Sequence, residues 1–196
     1  MTWKYTGEHA GAFTGMRPRA RPHASPAGWA RSGPAVVVRA ALRAVLLFPI
    51  VRLFCRRRIV EGAHRIPGGP VIFVANHAGH ADTPLILRSL PRVQRNRLAP
   101  AAAADYFFRT RLRGALTTLI VGAFPFPRCG TAGLDRADRL MRDGWSVLLF
   151  PEGTRSPDGR IHEFKRGAAR LAARRGATIV PVGIAGSREV LGKGAV

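Results

Sequence analysis

The sequence predicts an α/β fold, with a mixed, largely parallel sheet covered by helices in a single domain. Three short apolar runs, each bounded by turn-forming or polar residues, are typical of buried strands. They lie at residues 71–75, 146–150 and 178–184. Helical stretches separate these runs, and this alternation favours parallel pairing of the strands. The 196 residues suit one domain with some additional sequence.

The weaker elements lie between and after the three runs. We expect extended segments at residues 98–104 and 121–126, and helices from residue 83 onward, at 106–119, at 134–142 and at 167–175. Pro84 suits the first turn of a helix, whereas Gly144 and Gly176 stand where the last two helices should end. Pro181, inside the third apolar run, is tolerated only in an edge strand or at an irregularity.

The N-terminal 34 residues and the two cysteines indicate in which compartment of the cell the protein is located. Residues 1–34 are rich in Gly, Pro, Ala and Arg without a sustained apolar period, which predicts a disordered basic tail. The first residues also lack the apolar stretch of a cleaved secretory signal. Cys55 and Cys129 have no spacing typical of metal ligands or a redox pair. They indicate reduced thiols in a cytosolic chain.

Residues 35–58 form the most apolar segment, ahead of a domain predicted at residues 59–196. The segment is interrupted by Arg39, Arg43 and Arg52. Its longest uncharged apolar run, residues 44–51, is far shorter than the roughly 18 residues of a membrane-spanning helix. In addition, Pro49 should break or kink a helix there. We therefore expect the segment to lie in the membrane interface, with its arginines reaching toward lipid headgroups. The alternative is a helix docked on the core of the domain.

The chain is strongly basic. It carries 32 Lys and Arg residues against 11 Asp and Glu, a formal net charge of +21. Such a charge attracts nucleic acid, anionic lipid or a phosphorylated substrate. The sequence shows no basic stripe interleaved with aromatic residues of the RNA-binding kind. We therefore expect an anionic membrane surface as a partner, and no nucleic acid.

Polar loops follow two of the three predicted strands, NHAGHAD at residues 76–82 and PEGTRS at residues 151–156. In α/β sheets, ligand sites gather outside the carboxyl ends of the strands. His77 and Asp82, separated by four residues across a short turn, can form a hydrogen bond. Asp82 would then fix the tautomer of the imidazole, while His77 accepts a proton from a substrate hydroxyl. The simpler alternative is that Asp82 caps the helix that opens at Pro84.

The sequence also bears on the type of chemistry. It has no serine or cysteine in a nucleophile setting such as a G-x-S-x-G turn. This favours direct attack by an activated substrate hydroxyl over an acyl-enzyme. His77, His80 and Asp82 could instead bind a metal, but the only later histidine is His162, so a closed ligand set is hard to assemble. We therefore expect neither a metal nor a cofactor.

Four blocks, in the same order, resemble the PlsC-type lysophospholipid and glycerophosphate acyltransferase family. Residues 76–82 resemble its N-H-x4-D block, and residues 122–128 (GAFPFPR) are similar to its G-x-x-F-I-x-R block. Residues 150–156 (FPEGTRS) match its F-P-E-G-T-R-S in every letter, and residues 179–183 (IVPVG) resemble its V-P-V/I block. FKRG at residues 164–167 also falls where the family often has F-K-x-G.

This resemblance implies roles for individual residues. His77 would be a general base and Asp82 its orienting partner. The site for the phosphate and glycerol of the acceptor would comprise Arg128, Glu152, Gly153, Thr154 and Arg155, with Pro181 shaping the pocket. Guanidinium groups suit phosphate, and the turn at residues 152–154 can offer backbone N–H groups to an anion.

The activity that the resemblance implies is transfer of a fatty acyl group to the free hydroxyl of 1-acylglycerol-3-phosphate in phospholipid biosynthesis. The partners would be a lysophospholipid acceptor and an acyl thioester donor, either acyl-CoA or acyl-carrier protein. The protein would be peripheral or monotopic on the cytosolic face of the cell membrane. Two alternatives stay open. One is acylation of another lyso-acceptor, such as an aminolipid or a glycosylated phospholipid. The other is a non-catalytic basic module that binds membrane or nucleic acid.

Overall fold

The computed structural model describes residues 28–55 and 60–191. Its five strands are β1 (Ile72–Ala75), β2 (Leu98–Ala103), β3 (Phe124–Phe126), β4 (Ser146–Leu149) and β5 (Ile179–Val182). They form one sheet in the order β3-β2-β4-β1-β5, and every pairing is parallel. The predicted α/β class is therefore confirmed, and the described sheet is wholly parallel rather than mixed.

The helices lie before, between and after the strands. They are α1 (Gly33–Leu42), α2 (Phe48–Phe54), α3 (Asp82–Ser89), α4 (Arg92–Asn96), α5 (Ala104–Phe107), α6 (Arg111–Leu116), α7 (Ala132–Arg142), α8 (Gly167–Arg175) and α9 (Ser187–Leu191). Short 3-10 turns occur at Trp29–Arg31 and Ala63–Arg65, and π-helical turns at Arg43–Leu47 and Thr117–Val121.

Two predicted elements have different bounds. The helix expected at residues 106–119 is divided, because the Thr110 hydroxyl accepts a hydrogen bond from the Arg113 N–H and so begins α6 as a new helix. The segment expected to be extended from residue 121 is shorter. Val121 still belongs to the π turn, which ends at Gly122 with a φ of 74°.

Both faces of the sheet are buried, as a parallel sheet requires. On one face, Ile72 of β1 and Val147 of β4 pack with side chains of α7 and α8. On the other face, Phe73 and Leu148 pack with α3. Successive residues of each strand thus enter opposite cores. The continuous apolar runs of β1 and β4 follow from this double burial, whereas β5, at the edge of the sheet, is only partly buried.

The edge strand β5 and the glycine ends of two helices agree with expectation. Pro181 lies in β5, which forms one edge of the sheet, so its missing N–H leaves no ladder partner unsatisfied on that side. Gly176 adopts a φ of 58° and ends α8, and Gly144 adopts a φ of 78° just after α7. Glycine adopts such left-handed conformations without the steric cost of a side chain.

The segment at residues 33–54 is one continuous helix formed by α1, a π turn and α2. Its 22 residues are long and apolar enough to cross a membrane by length and composition alone. The expected break at Pro49 is therefore wrong. The π turn Arg43–Leu47 precedes Pro49 directly, and such a local widening accommodates a residue that lacks an N–H.

The predicted basic tail at residues 1–34 lies mostly outside the described residues. Residues 28–34 of this segment are described, and they are structured. Trp29–Arg31 form a turn with Ala30 fully buried, and α1 starts at Gly33.

Two of the arginines in the N-terminal helix are buried, so the expectation that they reach lipid headgroups is wrong for Arg39 and Arg43. Arg39 donates from Nε to the Leu119 carbonyl at 3.1 Å and from Nη2 to the Ala30 carbonyl. Arg43 donates to the carbonyls of Arg95, Ile120 and Val121 at 3.1, 3.0 and 2.6 Å. Neither has an acidic partner among the described residues.

The physical reason lies at the end of the π turn Thr117–Val121. The last carbonyls of a helix have no intrahelical donor, and a cation at that end also interacts favourably with the helix dipole. Arg39 and Arg43 supply the missing donors. The helix is therefore docked on the domain, as in the alternative considered above. Its outer face is nevertheless apolar and exposed, at Val37, Val38, Val45, Leu46, Ile50, Leu53 and Phe54.

We predict that Arg43→Met destabilises the protein, because methionine keeps the apolar stem but leaves three carbonyls without their donors. The expected loss in unfolding free energy is about 3 kcal/mol. For a chain of this size that corresponds to a Tm roughly 6–12 °C lower. Thermal unfolding in detergent measures the shift. Arg52→Met is the matched control, since Arg52 is exposed on the same helix. Equal Tm values for the two variants would contradict the assigned role.

Candidate active site

His77, in the loop after β1, and Asp82, the first residue of α3, are joined by a direct side-chain hydrogen bond. His77 Nδ1 lies 2.7 Å from Asp82 Oδ2, and the Asp82 side chain is fully buried. The same oxygen accepts the backbone N–H groups of Ala78 and Gly79 at 2.7 and 2.9 Å. Asp82 is itself the first residue of α3, and no side chain caps this helix. Its carboxylate therefore orients the imidazole rather than capping the helix.

The surroundings of Asp82 keep it ionised. Burial opposes the charge, but hydrogen bonds from His77 and the Gly79 N–H outweigh it, so the pKa of Asp82 is held below its usual value. The buried Ser187 hydroxyl also favours the charged form, although it lies outside full hydrogen-bond geometry. An ionised Asp82 requires the proton of neutral His77 to be on Nδ1. Nε2 is then free to accept a proton.

The loop after β4 holds His77 in place. The imidazole stacks on the Phe150 ring with centroids 4.0 Å apart and an angle of 21° between the planes. The His77 N–H donates to Glu152 Oε1 at 2.8 Å, and the His77 carbonyl accepts the Ser156 N–H at 2.7 Å. These contacts fix both the backbone and the ring of the candidate base.

Glu152 differs from its predicted place in the acceptor site. It is 6% exposed, and its second oxygen accepts the His162 N–H at 3.3 Å. Among the described residues it forms no salt bridge with an arginine, and it does not line the cavity. The physical reason is that two neighbouring backbone N–H groups need a buried acceptor, and the carboxylate supplies one oxygen to each.

Asn76, the first residue of the N-H-x4-D block, connects this loop to the chain after β5. Its Nδ2 donates to the Ile184 carbonyl at 2.9 Å, and its Oδ1 accepts the Ile184 N–H at 2.7 Å. This paired contact accounts for an asparagine beside the histidine. This role is not evident from the sequence, because the partner of Asn76 lies 108 positions away.

A cavity of about 810 Å³ opens beside His77. One part of its wall is apolar, with side chains from β2, β3 and α5 such as Ala101, Phe107 and Phe126. Another part is basic and consists of Arg128, Arg155, Lys165, Arg166 and Arg170. No acidic side chain of the described residues lines the cavity. The space therefore combines an apolar surface with an excess of positive charge.

Four of the six predicted substrate-binding residues line this cavity, namely Arg128, Gly153, Thr154 and Arg155. Arg128 is held from Nε by both oxygens of Asp105, at 3.1 and 3.0 Å, and both side chains are exposed. Glu152 and Pro181 do not line it. Pro181 is exposed on the edge strand β5, so the expectation that it shapes the pocket is wrong for the described structure.

Lys165 and His80 line the cavity without having been predicted as site residues. Gly153 has a φ of +73°, and a Cβ built there would lie 2.6 Å from Lys165 Nζ, so only glycine permits this close approach. The F-K-x-G resemblance was the signal that could have identified Lys165. His80 stacks on Tyr106 at 5.9 Å. Burial, then the nearby charges of Arg155 and His77, lower the pKa of His80.

Among the described residues, no group of three or more His, Cys, Asp or Glu side chains is arranged to hold a metal ion. His77 is hydrogen-bonded to Asp82, and His162 pairs with Asp158 at 2.9 Å in an exposed loop.

Comparisons with known proteins agree with this geometry. A family model described as "Acyltransferase" matches residues 57–185. The chain belongs to the acyltransferase family. It is similar to a crystal structure of the 1-acyl-sn-glycerophosphate (LPA) acyltransferase PlsC from Thermotoga maritima. The TM-score is 0.57 and the identity 28%, over 80% of this chain and 64% of that one.

Two relatives carry the name 1-acyl-sn-glycerol-3-phosphate acyltransferase. The chloroplastic LPAT1 of Arabidopsis thaliana is 30% identical over 144 residues, which are 69% of this chain and 38% of that protein. The human alpha enzyme is 30% identical over 144 residues, which are 70% of this chain and 49% of that protein. The chain thus spans less than half the length of these two relatives.

We predict that Glu152→Ala lowers stability and turnover together. Two N–H groups lose their acceptor, at about 1–3 kcal/mol for each buried donor. A displaced His77 should lower kcat by at least about tenfold. Glu152→Gln keeps one oxygen for the His77 N–H, so it should be milder. Tm and steady-state acyl-transfer kinetics test both variants. An unchanged Tm with a raised acceptor KM would instead favour the acceptor-binding role first predicted.

Proposed function

We propose that this protein transfers a fatty acyl group from a thioester donor to the free hydroxyl of 1-acylglycerol-3-phosphate. The observation that carries the proposal is the His77–Asp82 pair beside a cavity that is apolar on one part of its wall and basic on another. An imidazole oriented by a buried carboxylate is suited to remove a hydroxyl proton. Acyl chains suit the apolar wall, and a phosphate suits the basic wall. The names of the relatives support the same activity.

The reaction follows from the position of the proton on His77. Nε2 accepts the proton of the acceptor hydroxyl as the oxygen attacks the thioester carbonyl, and Asp82 stabilises the resulting imidazolium. The C–S bond then breaks, and the leaving thiolate takes the proton from Nε2. The ester, the free thiol and neutral His77 result. The described lining residues include no serine or cysteine, which favours this direct transfer over an acyl-enzyme.

The phosphate of the acceptor is assigned to Arg128 and Arg155, together with the backbone at Gly153 and Thr154. Arginine forms charge-assisted, often bidentate hydrogen bonds with phosphate. A phosphate monoester carries nearly two negative charges at neutral pH. It therefore suits a basic wall without carboxylates better than a zwitterionic headgroup does. We also propose that the reaction requires no bound metal and no cofactor beyond the acyl donor.

The proposal is tested by comparing His77→Ala with the wild type, using lysophosphatidic acid and an acyl thioester, with and without a chelator. Loss of a general base should lower turnover by roughly 10²–10⁴. His162→Ala is the matched control, because it removes an imidazole–carboxylate pair that is exposed and outside the cavity. Chelation should leave turnover unchanged. Wild-type turnover in His77→Ala would refute the mechanism.

A panel of acceptors tests the substrate assignment in the same assay. Lysophosphatidic acid should be preferred over lysophosphatidylcholine, an aminolipid and a glycosylated lysophospholipid. Preference for any of the other three would overturn the assigned acceptor while leaving the base in place.

We also propose that the helix Gly33–Phe54 lies on the cytosolic face of the membrane without crossing it. The helix is apolar, which is consistent with membrane association. Arg39 and Arg43 support an arrangement in which the helix does not cross the membrane, because their hydrogen bonds to the domain hold the middle of the helix against the protein. The exposed outer face defined above is then free to enter the lipid, as in interfacial helices.

We predict that Val45→Glu weakens binding to anionic vesicles by about tenfold or more, since it places a charge in the centre of the outer face. Val45→Leu keeps an apolar side chain there and is the control. Vesicle sedimentation measures binding, and thermal unfolding confirms that both variants fold. Labelling that places the two ends of the helix on opposite sides of the bilayer would contradict the interfacial arrangement.

A further inference from the structure

The cavity contains more positive charge than one acceptor phosphate requires. Arg128 and Arg155 account for the acceptor in the proposed function. Lys165, Arg166 and Arg170 remain, and we refer to these three residues as the α8 rim, since they lie just before and in the first turn of that helix. All three are exposed and line the cavity.

The α8 rim differs from the other cations of the same helix. Arg174 pairs with Asp135 at 3.2 Å, and Arg175 pairs with Asp138 at 2.6 Å, so acidic residues of α7 neutralise them. Among the described residues, no salt bridge involves any member of the α8 rim. The described salt bridges of α8 thus involve arginines and acidic residues that do not line the cavity.

The α8 rim brings positive charges close to one another beside the cavity. The Arg170 N–H donates to the Arg166 carbonyl, which places the two side chains one helical turn apart on the same face. Like charges at this spacing repel each other. Lys165 adds a third charge directly against Gly153, next to the acceptor site. An anion bound between these side chains would remove the repulsion.

We propose that the α8 rim binds the phosphate groups of a coenzyme A thioester, which makes it the donor site. This inference rests on the proposed function. Direct transfer requires both substrates in the cavity at the same time, so the donor needs a site beside the acceptor. Coenzyme A carries several phosphates, and its pantetheine arm lets the thioester lie at a distance from them. Phe164, half exposed and directly before the α8 rim, offers a ring face suited to the adenine base.

The test measures binding of free coenzyme A, which requires no turnover. The double variant Arg166→Gln/Arg170→Gln should bind coenzyme A about ten- to a hundredfold more weakly than the wild type, because charge-assisted hydrogen bonds are lost. Binding of pantetheine, which has no phosphate, should be the same in both proteins. Isothermal titration calorimetry supplies both dissociation constants. Arg174→Gln is the matched control, since it removes a charge from the same helix outside the cavity.

A kinetic arm separates the two substrates. With lysophosphatidic acid as acceptor, the double variant should have a raised KM for palmitoyl-CoA and an unchanged kcat/KM for palmitoyl-pantetheine. Arg155→Gln should instead raise the KM for the acceptor with either donor. This difference is not expected if the α8 rim only supports the fold.

Three results would overturn the donor site. The first is undiminished coenzyme A binding in the double variant. The second is an equal loss for coenzyme A and pantetheine. The third is a loss confined to palmitoyl-acyl-carrier protein, which would assign the α8 rim to a carrier protein. Coenzyme A binding that depends on the α8 rim, without transfer to lysophosphatidic acid, would support the donor site and refute the proposed acceptor.

Discussion

The parallel pairing of β1 with β4 is the constraint on which the rest of the site depends. Val74 is paired with Leu149, so both strands end at the same edge of the sheet. Their following loops meet there because the chain leaves each strand in the same direction. Hydrogen bonds between His77, Glu152 and Ser156 then join the two loops. With β5 on the other side of β1, Asn76 reaches Ile184 and connects a third segment to the same place.

This arrangement explains the spacing of functional residues along the chain. His77 and Asp82 come from the chain just after β1, while Phe150, on whose ring His77 stacks, comes from the chain just after β4. The cations come from the loops after β3 and β4 and from the residues just before and in the first turn of α8. The apolar cores on both faces fix the short parallel strands in place. The polar loops that follow these strands are thereby held next to one another.

The sequence alone allowed much of this to be predicted, where the determinants are local. The strands appear as apolar runs, the ends of α7 and α8 as glycines, and the His77–Asp82 pair as a short spacing after a strand. The sequence could not reveal contacts between residues that are far apart along the chain. Nothing near Arg43 in the sequence indicates that the carbonyls it meets are those of residues 120 and 121. Nothing near Glu152 indicates that its oxygens face two backbone N–H groups. The resemblance of residues 179–183 to a family block predicted that Pro181 shapes the pocket, but Pro181 is exposed on the edge strand β5 and does not line the cavity.

The cations of this chain differ in what neutralises them, although the sequence lists them only as a net charge of +21. Arg39 and Arg43 face carbonyl oxygens in the interior, and Arg174 and Arg175 face carboxylates of α7. Arg128 lines the cavity and is paired with Asp105, whereas the other four cavity cations have no salt bridge among the described residues. The distribution separates residues that stabilise the fold from residues that are available to a ligand.

The π turn Thr117–Val121 belongs to two regions at once. Thr117 and Val121 line the cavity, while the carbonyls of Leu119, Ile120 and Val121 are held by the N-terminal helix. The N-terminal helix and the cavity wall are therefore joined by these three hydrogen bonds. Tilting the helix would shift the wall unless the hydrogen bonds broke. Under the proposed interfacial arrangement, the depth of the helix in the bilayer and the volume of the cavity beside the wall are thus linked.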